Sequence, residues 1–205
     1  AFKDLKELAC GAVSAQNMWR QEPNCKLGDI TAVRGLALEY LSISLAFVRD
    51  LSPVRGMPLK RLMIRNCPIA DLAPLKDVPT LEELMIRNTE VKDLTSLKGL
   101  KLKRLDIAGT RIADIKPLAG MPLEHLDISD SQVKDIAILK EMPITSLCMN
   151  RARVFNFGVL KDLSLKRLEL DETQFRDMTL IRHMALQSLS MGSTGVSDLG
   201  PLKGM

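Results

Sequence analysis

The stretch LKRLDIAGTRIADIKPLAGMP, residues 102–122, is followed at once by LEHLDIS, which begins the same pattern again. Aligning the chain on this stretch gives repeat starts at Leu38, Leu59, Leu81, Leu102, Leu123, Ile144, Leu165 and Leu186. Successive starts are 21 residues apart, except for one interval of 22 residues in which Thr80 is inserted. A period of this length is typical of solenoids, in which each repeat is stable only when it is stacked on its neighbours.

Each repeat contains two hydrophobic periods, one after the other. Counting the start as position 1, the residues at positions 1, 4 and 6 are apolar, which is the alternation of a β-strand. Positions 11, 14, 17 and 20 are also apolar, as in Ile112, Ile115, Leu118 and Met121. A spacing of three favours a 3₁₀ turn or a very short α-helical turn. Each repeat is therefore predicted to form one strand followed by one short turn.

Position 13, just before the turn, carries Asp or Asn in every repeat. A short side-chain oxygen there can accept a hydrogen bond from a free amide of the turn, so we predict structural N-caps rather than catalytic carboxylates. The predicted N-caps are Asp50, Asp71, Asp93, Asp114, Asp135, Asn156, Asp177 and Asp198. Position 9 is always small, and we predict that its hydroxyls, such as those of Thr89 and Thr110, form a ladder of hydrogen bonds through the stack.

The pattern L-x-x-L-x-I-x-x-T-x-V-x-D-L-x-P-L-x-x-M-P resembles the leucine-rich repeat in a short form and is similar to the internalin-like class. The stretches DLSPVRGMPLKRL, residues 50–62, and DLGPLKGM, residues 198–205, resemble arrays that accompany serine/threonine kinase domains in some bacteria. The resemblance implies an α/β solenoid: a right-handed curved array with a parallel β-sheet on its concave face and short 3₁₀ or α turns on its convex face. The kinase motifs G-x-G-x-x-G, H-R-D and D-F-G do not occur in the chain.

The first 37 residues depart from the regular spacing. LKELAC, residues 5–10, is predicted to be a strand, and DITAVRGLA, residues 29–37, the second half of the same repeat. Between them GAVSAQNMWRQEPNC, residues 11–25, makes this repeat about 12 residues too long. We therefore divide the chain into a capping repeat, residues 1–37, and eight repeats, residues 38–205, in one continuous domain.

The insertion with Trp19 either covers the end of the core or projects toward a partner, and we favour the cover because terminal repeats shield the core. The chain starts at Ala1 and stops where the next strand is due, so we expect a piece of a longer protein.

Composition argues against several classes of function. A net charge of +4 with one Trp, one Tyr and five Phe offers little for stacking on bases, so nucleic acid is not an expected partner. No apolar run reaches the roughly 18 to 20 residues of a membrane span, so membrane insertion is not expected. The cysteines and histidines lack metal-site spacing. We predict no catalytic residues, no metal, no cofactor and no small-molecule substrate. Cellular location stays open.

Positions 3, 5 and 7 of each strand point out of the predicted concave face, with position 8 at its rim. Early repeats place arginines and methionines there, whereas later repeats place mostly carboxylates. We predict that this face binds a protein or peptide, with an acidic segment at the basic end and a basic segment at the acidic end. The predicted partner-binding residues are Arg61, Met63, Arg65, Met85, Arg87, Arg104, Asp127, Asp130, Glu169, Asp171 and Glu172.

Two alternatives stay open. For single residues the alternative is an ordinary solvated surface. For the whole chain it is a structural spacer or a self-associating segment of a larger multidomain protein, with a kinase among the candidate flanking domains. Repeat six, which starts at Ile144, is the least regular, because Asn156 replaces Asp and Phe157 replaces Leu or Ile. Sequence drift and a local binding site both fit that observation.

Overall fold

The computed structural model describes residues 4–10 and 26–203. In this part of the chain nine strands form one sheet, in which each strand is parallel to the next and the spatial order is the chain order. The strands are β1 Glu7–Cys10, β2 Tyr40–Ser44, β3 Arg61–Arg65, β4 Glu83–Met85, β5 Arg104–Asp106, β6 His125–Asp127, β7 Ser146–Cys148, β8 Arg167–Glu169 and β9 Ser188–Ser190. The sheet confirms the predicted one strand per repeat, and β1 extends it on the N-terminal side.

Strand register aligns equivalent positions of successive repeats. Leu105, for example, is the register partner of both Leu84 and Leu126. The interval of 22 residues keeps this alignment, because Leu62 still pairs with Leu84. The extra residue, Thr80, precedes β4, and its hydroxyl donates a hydrogen bond of 2.8 Å to the carbonyl of Leu59. The insertion is therefore absorbed outside the sheet.

The second half of every repeat forms a 3₁₀ turn, and no α-helix occurs within the described ranges. The turns are η1 Thr31–Val33, η2 Ser52–Val54, η3 Ala73–Asp77, η4 Thr95–Leu97, η5 Lys116–Leu118, η6 Ala137–Glu141, η7 Gly158–Asp162, η8 Met178–Leu180 and η9 Gly200–Leu202. The open choice between 3₁₀ and α is thus resolved in favour of 3₁₀. None of the described helices is long and apolar enough to cross a membrane.

The length of turns η2 to η7 follows the residue at position 19, whereas η8 has three residues with His183 at that position. Gly56, Gly99 and Gly120 stand there with positive φ, and the turns before them have three residues. Asp or Glu at the same position instead ends a turn of five residues, as at Asp77 and Glu141. Glycine reaches the left-handed region without steric cost, which lets the chain leave the turn early.

The residues predicted as N-caps accept hydrogen bonds as expected, but most lie one residue earlier than predicted. Each side chain accepts from the amide two residues along, at 2.7 to 3.0 Å. Only Asp177 is itself the N-cap. The other seven, Asp50, Asp71, Asp93, Asp114, Asp135, Asn156 and Asp198, directly precede it. The bond closes an Asx turn that leads into the 3₁₀ turn.

The prediction that the hydroxyls at position 9 form hydrogen bonds from one repeat to the next is wrong. Thr89, Thr110, Ser131 and Thr173 are buried, but each donates to the carbonyl three residues back in its own repeat, at 2.6 to 2.8 Å. These bonds close the bend after each strand rather than joining repeats. Cys67, at the same position, does contact the repeat before, with its sulfur 3.8 Å from the carbonyl oxygen of Ile43.

The core is one continuous column between the sheet and the turns, built by the apolar positions of every repeat. Leu62, Leu84 and Leu147 are fully buried. In the last repeat the same column is more open, since Leu189 and Met191 are half-buried. Stacking on both sides is what buries a repeat, as expected for a solenoid.

Candidate functional site

An open groove along the sheet is lined by the position 3 residues from Arg104 to Ser188, the position 5 residues from Met85 to Glu169, and Arg87 at position 7. Its volume is about 660 Å³, and its lining runs from Met85 on β4 to Ser188 on β9. Because side chains alternate along a strand, the leucine between each pair of groove residues points into the core. The predicted partner-binding residues of the strands therefore share one face of the sheet, and their electrostatic state decides what that face can bind.

At the basic end the first arginine is already neutralised. The guanidinium of Arg61 donates to both carboxylate oxygens of Glu83, at 2.7 and 3.0 Å, and lies 5.8 Å from the ring centre of Tyr40. The hydroxyl of Tyr40 donates to the sulfur of Met63 at 3.2 Å. Sequence analysis missed Glu83, although its place at position 3 of repeat three was a sufficient signal.

Arg65, at the C-terminal end of β3, also belongs to the basic end. It has no carboxylate partner among the described residues. Its Nη2 atom lies 3.4 Å from the sulfur of Met85, and its Nε atom is buried without a hydrogen bond. The hydroxyls of Ser42 and Ser44 on the neighbouring strand are also buried and unpaired. Buried donors without a partner are costly, so a ligand atom that accepts from this corner of the face would be favoured.

The centre of the groove floor is held by Arg87. Its Nε donates to Asp106 at 3.1 Å and its Nη2 donates to Asp127, which ties β4 to the next two strands. Burial, and then the charge of Asp127, raise the pKa of Asp106, while Arg87 acts in the opposite direction. Two carboxylates share one guanidinium here, so the floor retains negative charge.

Cys148 lies between two carboxylates on the next part of the floor. It is the register partner of Asp127 on one side and Glu169 on the other. Burial, followed by these two charges, raises the pKa of the Cys148 thiol to about 12. Glu169 also accepts from Arg167 and, at 3.0 Å, from Asn150. The thiol therefore stays protonated and acts as a small neutral residue in an acidic setting.

The rim beyond the strands carries a second ion-pair group. Arg151 donates to Asp130 through two bonds of 2.6 and 2.7 Å and to Glu172 at 3.2 Å. The hydrogen bonds from Arg151 lower the pKa of Asp130. All three residues are at position 8 and have positive φ, near +54° to +56°. Residues other than glycine adopt a positive φ only at a cost in free energy. The ion pairs among these three side chains are formed by residues in that conformation.

Gly109, at position 8 of repeat four, leaves space for the side chain of Asn88. A Cβ on Gly109 would lie 1.9 Å from Oδ1 of Asn88, and the φ of Gly109 is +67°. Asn88 in turn donates to Asn66 at 2.8 Å. A side chain at position 109 would therefore have to displace the amide of Asn88.

Arg104 and Lys166 are the groove-lining cations that form no ion pair within the described part of the chain. Arg104 is exposed. Burial and then the charge of Arg104 lower the pKa of its neighbour His125. Near neutral pH the imidazole is therefore uncharged, and Arg104 remains available to a partner.

Partner contact by the predicted residues stays a prediction, and the structure changes its detail. The basic end is largely compensated by Glu83, Asp106 and Asp127, so Arg65 and Arg104 are the arginines left for a partner. Sequence analysis also missed a row of charged residues at position 2, where positive and negative side chains alternate along the edge of the sheet. This row comprises Lys6, Glu39, Lys60, Glu82, Lys103 and Glu124, with Lys60 2.6 Å from Glu39 and Lys103 2.9 Å from Glu82.

Neither a known protein family nor a curated protein sequence matches the chain. Solved structures do. An internalin of Listeria monocytogenes, InlF, is 29% identical with a TM-score of 0.75, over 80% of this chain and 51% of that protein. Internalin C2 of the same species is 21% identical, with a TM-score of 0.63 over 88% of this chain and 74% of that one. A leucine-rich repeat protein of Leptospira interrogans is 15% identical, with a TM-score of 0.62 over 82% and 53%.

These similarities establish the architecture. The parallel sheet with short 3₁₀ turns is the leucine-rich repeat solenoid, and the repeats are internalin-like. The chain spans about half the length of InlF.

Proposed function

We propose that the chain is a non-catalytic interaction module whose concave sheet binds a protein or an extended peptide. The observation that carries this proposal is the groove of about 660 Å³ along β4 to β9. It is open along its length and lined by side chains from six successive strands, which suits an elongated partner better than an enclosed small molecule.

The charges of the groove are preorganised. Arg87 is fixed by two carboxylates, and Arg167 is fixed by Glu169. Side chains already held in place lose little entropy on binding, so their contacts translate into affinity more fully than those of mobile side chains. Arg104 adds an unpaired cation at the upper edge of the same groove, and we propose it as the first contact for an acidic group of the partner.

Similarity to internalins supports the proposal at the level of the fold. The identity of the partner is a separate matter on which the fold has no bearing. The predicted association with a serine/threonine kinase domain stays a prediction.

A photo-crosslinking experiment tests the concave face directly. Benzoylphenylalanine is placed at Ser146, on the groove floor, or at the exposed Thr95 on the turn side, and the two proteins are irradiated in lysate of the source organism. We expect a partner protein to crosslink to the chain labelled at Ser146 and not to the chain labelled at Thr95. A partner that crosslinks only from Thr95 would overturn the assignment of the face.

The groove contact is tested by Arg104→Glu, with Arg182→Glu on the turn side as the matched control, since neither arginine is in an ion pair of the described chain. Loss of crosslinking from Ser146 is expected only with Arg104→Glu. Arg87→Glu is a poor test, because it would place a third carboxylate beside Asp106 and Asp127 and destabilise the fold.

Self-association is a second candidate, favoured by the apolar side of the last repeat. Leu199 is 56% exposed, and Leu189 and Met191 are only half-buried. Light scattering at two concentrations distinguishes the candidates, because a dimer that Leu199→Ser dissolves would support self-association, whereas a constant monomer mass would exclude it.

A further inference from the structure

Repeat six carries a second surface, outside the groove. Phe155, at position 12, is 69% exposed, the most exposed of the large hydrophobic residues described. The same position in the other repeats is Arg, Lys, Ala or Ser, so the fold does not need an aromatic ring there. Its neighbours Val154 and Phe157 are buried and complete the core without it.

Further apolar side chains lie on the turns of repeats five to seven. Position 16 is proline or serine elsewhere, but here it is Ile138, Val159 and Leu180, each half-buried against the edge of the core. Val159 follows Phe155 by four residues, which keeps the two within about 14 Å of each other. We call Phe155, Ile138, Val159 and Leu180 together the Phe155 surface.

Negative charge is sparse in repeat six itself, although Asp135 and Asp177 hold position 13 in the adjacent repeats and Asp162 follows Lys161. Between Glu141 and Asp162 the chain contains no carboxylate, whereas Arg151, Arg153 and Lys161 are cationic. Arg153 and Lys161 are exposed and make no ion pair with any described residue. Lys134, which holds the position of Phe155 in the preceding repeat, is also exposed and unpaired in the described ranges.

The change at position 13 removes a charge without removing a structural contact. Asn156 accepts the amide of Gly158 at 3.0 Å, as Asp135 accepts the amide of Ala137 at 2.9 Å in the repeat before. An amide oxygen closes the Asx turn as a carboxylate does. The fold therefore accepts either residue, and the neutral one removes the carboxylate next to Phe155 from the row that runs from Asp135 to Asp177.

The residue equivalent to Phe155 in the next repeat packs toward repeat eight. The side chain of Arg176, at position 12 of repeat seven, lies over Gly195, so that a Cβ on this glycine would be 2.6 Å from Nε of Arg176. Arg176 thus leans toward repeat eight and away from Phe155.

We propose that the Phe155 surface docks an acidic segment of a partner protein that carries a bulky apolar side chain. The ring of Phe155 and the aliphatic side chains provide contact area for the apolar residue, and Lys134, Arg153 and Lys161 attract the acidic ones. This surface is separate from the groove, so a partner could engage both or only one of them.

Short peptides test this proposal by NMR on the ¹⁵N-labelled chain. The probe is acetyl-Glu-Glu-Phe-Glu-Glu-amide, with Gln in place of Glu in one control peptide and Ala in place of Phe in another. We expect amide shift changes at Lys134 and residues 153–161 with the probe and weaker changes with either control. Shift changes confined to groove residues such as Arg104 and Ser146 would overturn the proposal.

Three protein variants separate the contributions. Phe155→Ser is expected to weaken binding of the probe about tenfold, the scale of a lost aromatic anchor. Phe47→Ser removes the other exposed phenylalanine, which is 63% exposed in repeat one, and is expected to leave binding unchanged. Asn156→Asp restores the usual residue and is expected to weaken binding about two- to fivefold at an unchanged melting temperature. Equal binding by wild type and Phe155→Ser would refute the proposal, whatever the crosslinking from Ser146 shows for the groove.

Discussion

Repeats four and six have the same core and different surfaces. Leu105 and Leu118 of repeat four are buried, as are their equivalents Leu147 and Leu160 in repeat six. Phe157, in place of the usual aliphatic residue, is also buried, and its ring packs edge-on against Phe175 at 5.3 Å. The irregular residues of repeat six have therefore left its interior intact.

The surfaces of the two repeats diverge at several positions. Repeat four has Gly109 at position 8 and Asp114 at position 13, whereas repeat six has Arg151 and Asn156. Both pairs keep the backbone conformation and the hydrogen bond that the fold requires. In this solenoid the apolar positions and one oxygen acceptor are constrained, and the charge on the outside varies independently of them.

The largest expected effect is common to both repeats. Leu105→Ala and Leu147→Ala each remove a buried side chain between two stacked neighbours, and each should lower the free energy of unfolding by about 3 kcal/mol. Urea unfolding monitored by circular dichroism measures both. A loss below about 1 kcal/mol for Leu147→Ala alone would show that repeat six is loosely packed, which contradicts the equivalence of the two cores.

Position 8 should distinguish the repeats. Gly109→Ala places a methyl group against Oδ1 of Asn88 at positive φ, so we expect a loss of about 2 kcal/mol. Arg151→Gly relieves an unfavourable φ but removes the bonds to Asp130 and Glu172, and these effects should cancel to within about 0.5 kcal/mol. The same urea experiment applies, and equal losses at the two sites would contradict the steric argument for Gly109.

Position 13 should show that oxygen rather than charge matters for folding. Asp114→Ala loses the bond to the amide of Lys116 and should cost about 1 kcal/mol. Asp114→Asn keeps an acceptor, as Asn156 does naturally, and should cost only a few tenths of a kcal/mol. Thermal unfolding at neutral pH compares them, and a large loss in Asp114→Asn would mean that the carboxylate charge itself stabilises the turn.

The smallest effects concern pH, and the groove floor and the rim should respond with opposite signs. The pKa of Asp106 is raised, so its contribution to stability is present below its unfolded pKa and is lost as pH rises through the raised value. The pKa of Asp130 is lowered, so its contribution is present above its unfolded pKa and is lost as pH falls through the lowered value.

Melting temperatures from about pH 3 to about pH 7 test both signs. Relative to wild type, Asp106→Asn should become more favourable as pH rises, and Asp130→Asn less favourable. The same trend in both variants would show that net charge, rather than local contacts, governs the response.

Much of the fold could be predicted from the sequence, because one apolar pattern recurs eight times and each copy tests the alignment of the others. The off-by-one position of residues such as Asp50 could not, because the hydrogen bond that defines the start of a 3₁₀ turn depends on backbone angles rather than on residue type. The cap or arm function of residues 11–25, with Trp19, lies outside the described residues and stays a prediction.

The site was less predictable than the fold. Its face was found from strand alternation, but the pairing of Arg61 with Glu83 and of Arg87 with two aspartates depends on side-chain reach across strands. Arg61 and Arg104 have the same place in their repeats and both flank Glu83, yet only Arg61 forms an ion pair with it. A residue's position in a repeat thus predicts where it points and not whether its charge is free.

The alternating charges of position 2 also favour the correct stacking order of the repeats. Every repeat offers nearly the same apolar positions, so a folding chain could omit one repeat and pair β2 directly with β4 without losing leucine packing. That mistake would bring Glu39 beside Glu82, whereas the correct order brings it beside Lys60. Like charges on adjacent strands repel. The row thus disfavours a stacking order in which one repeat is skipped, and it does so through charged residues at the edge of the sheet that contribute nothing to the core.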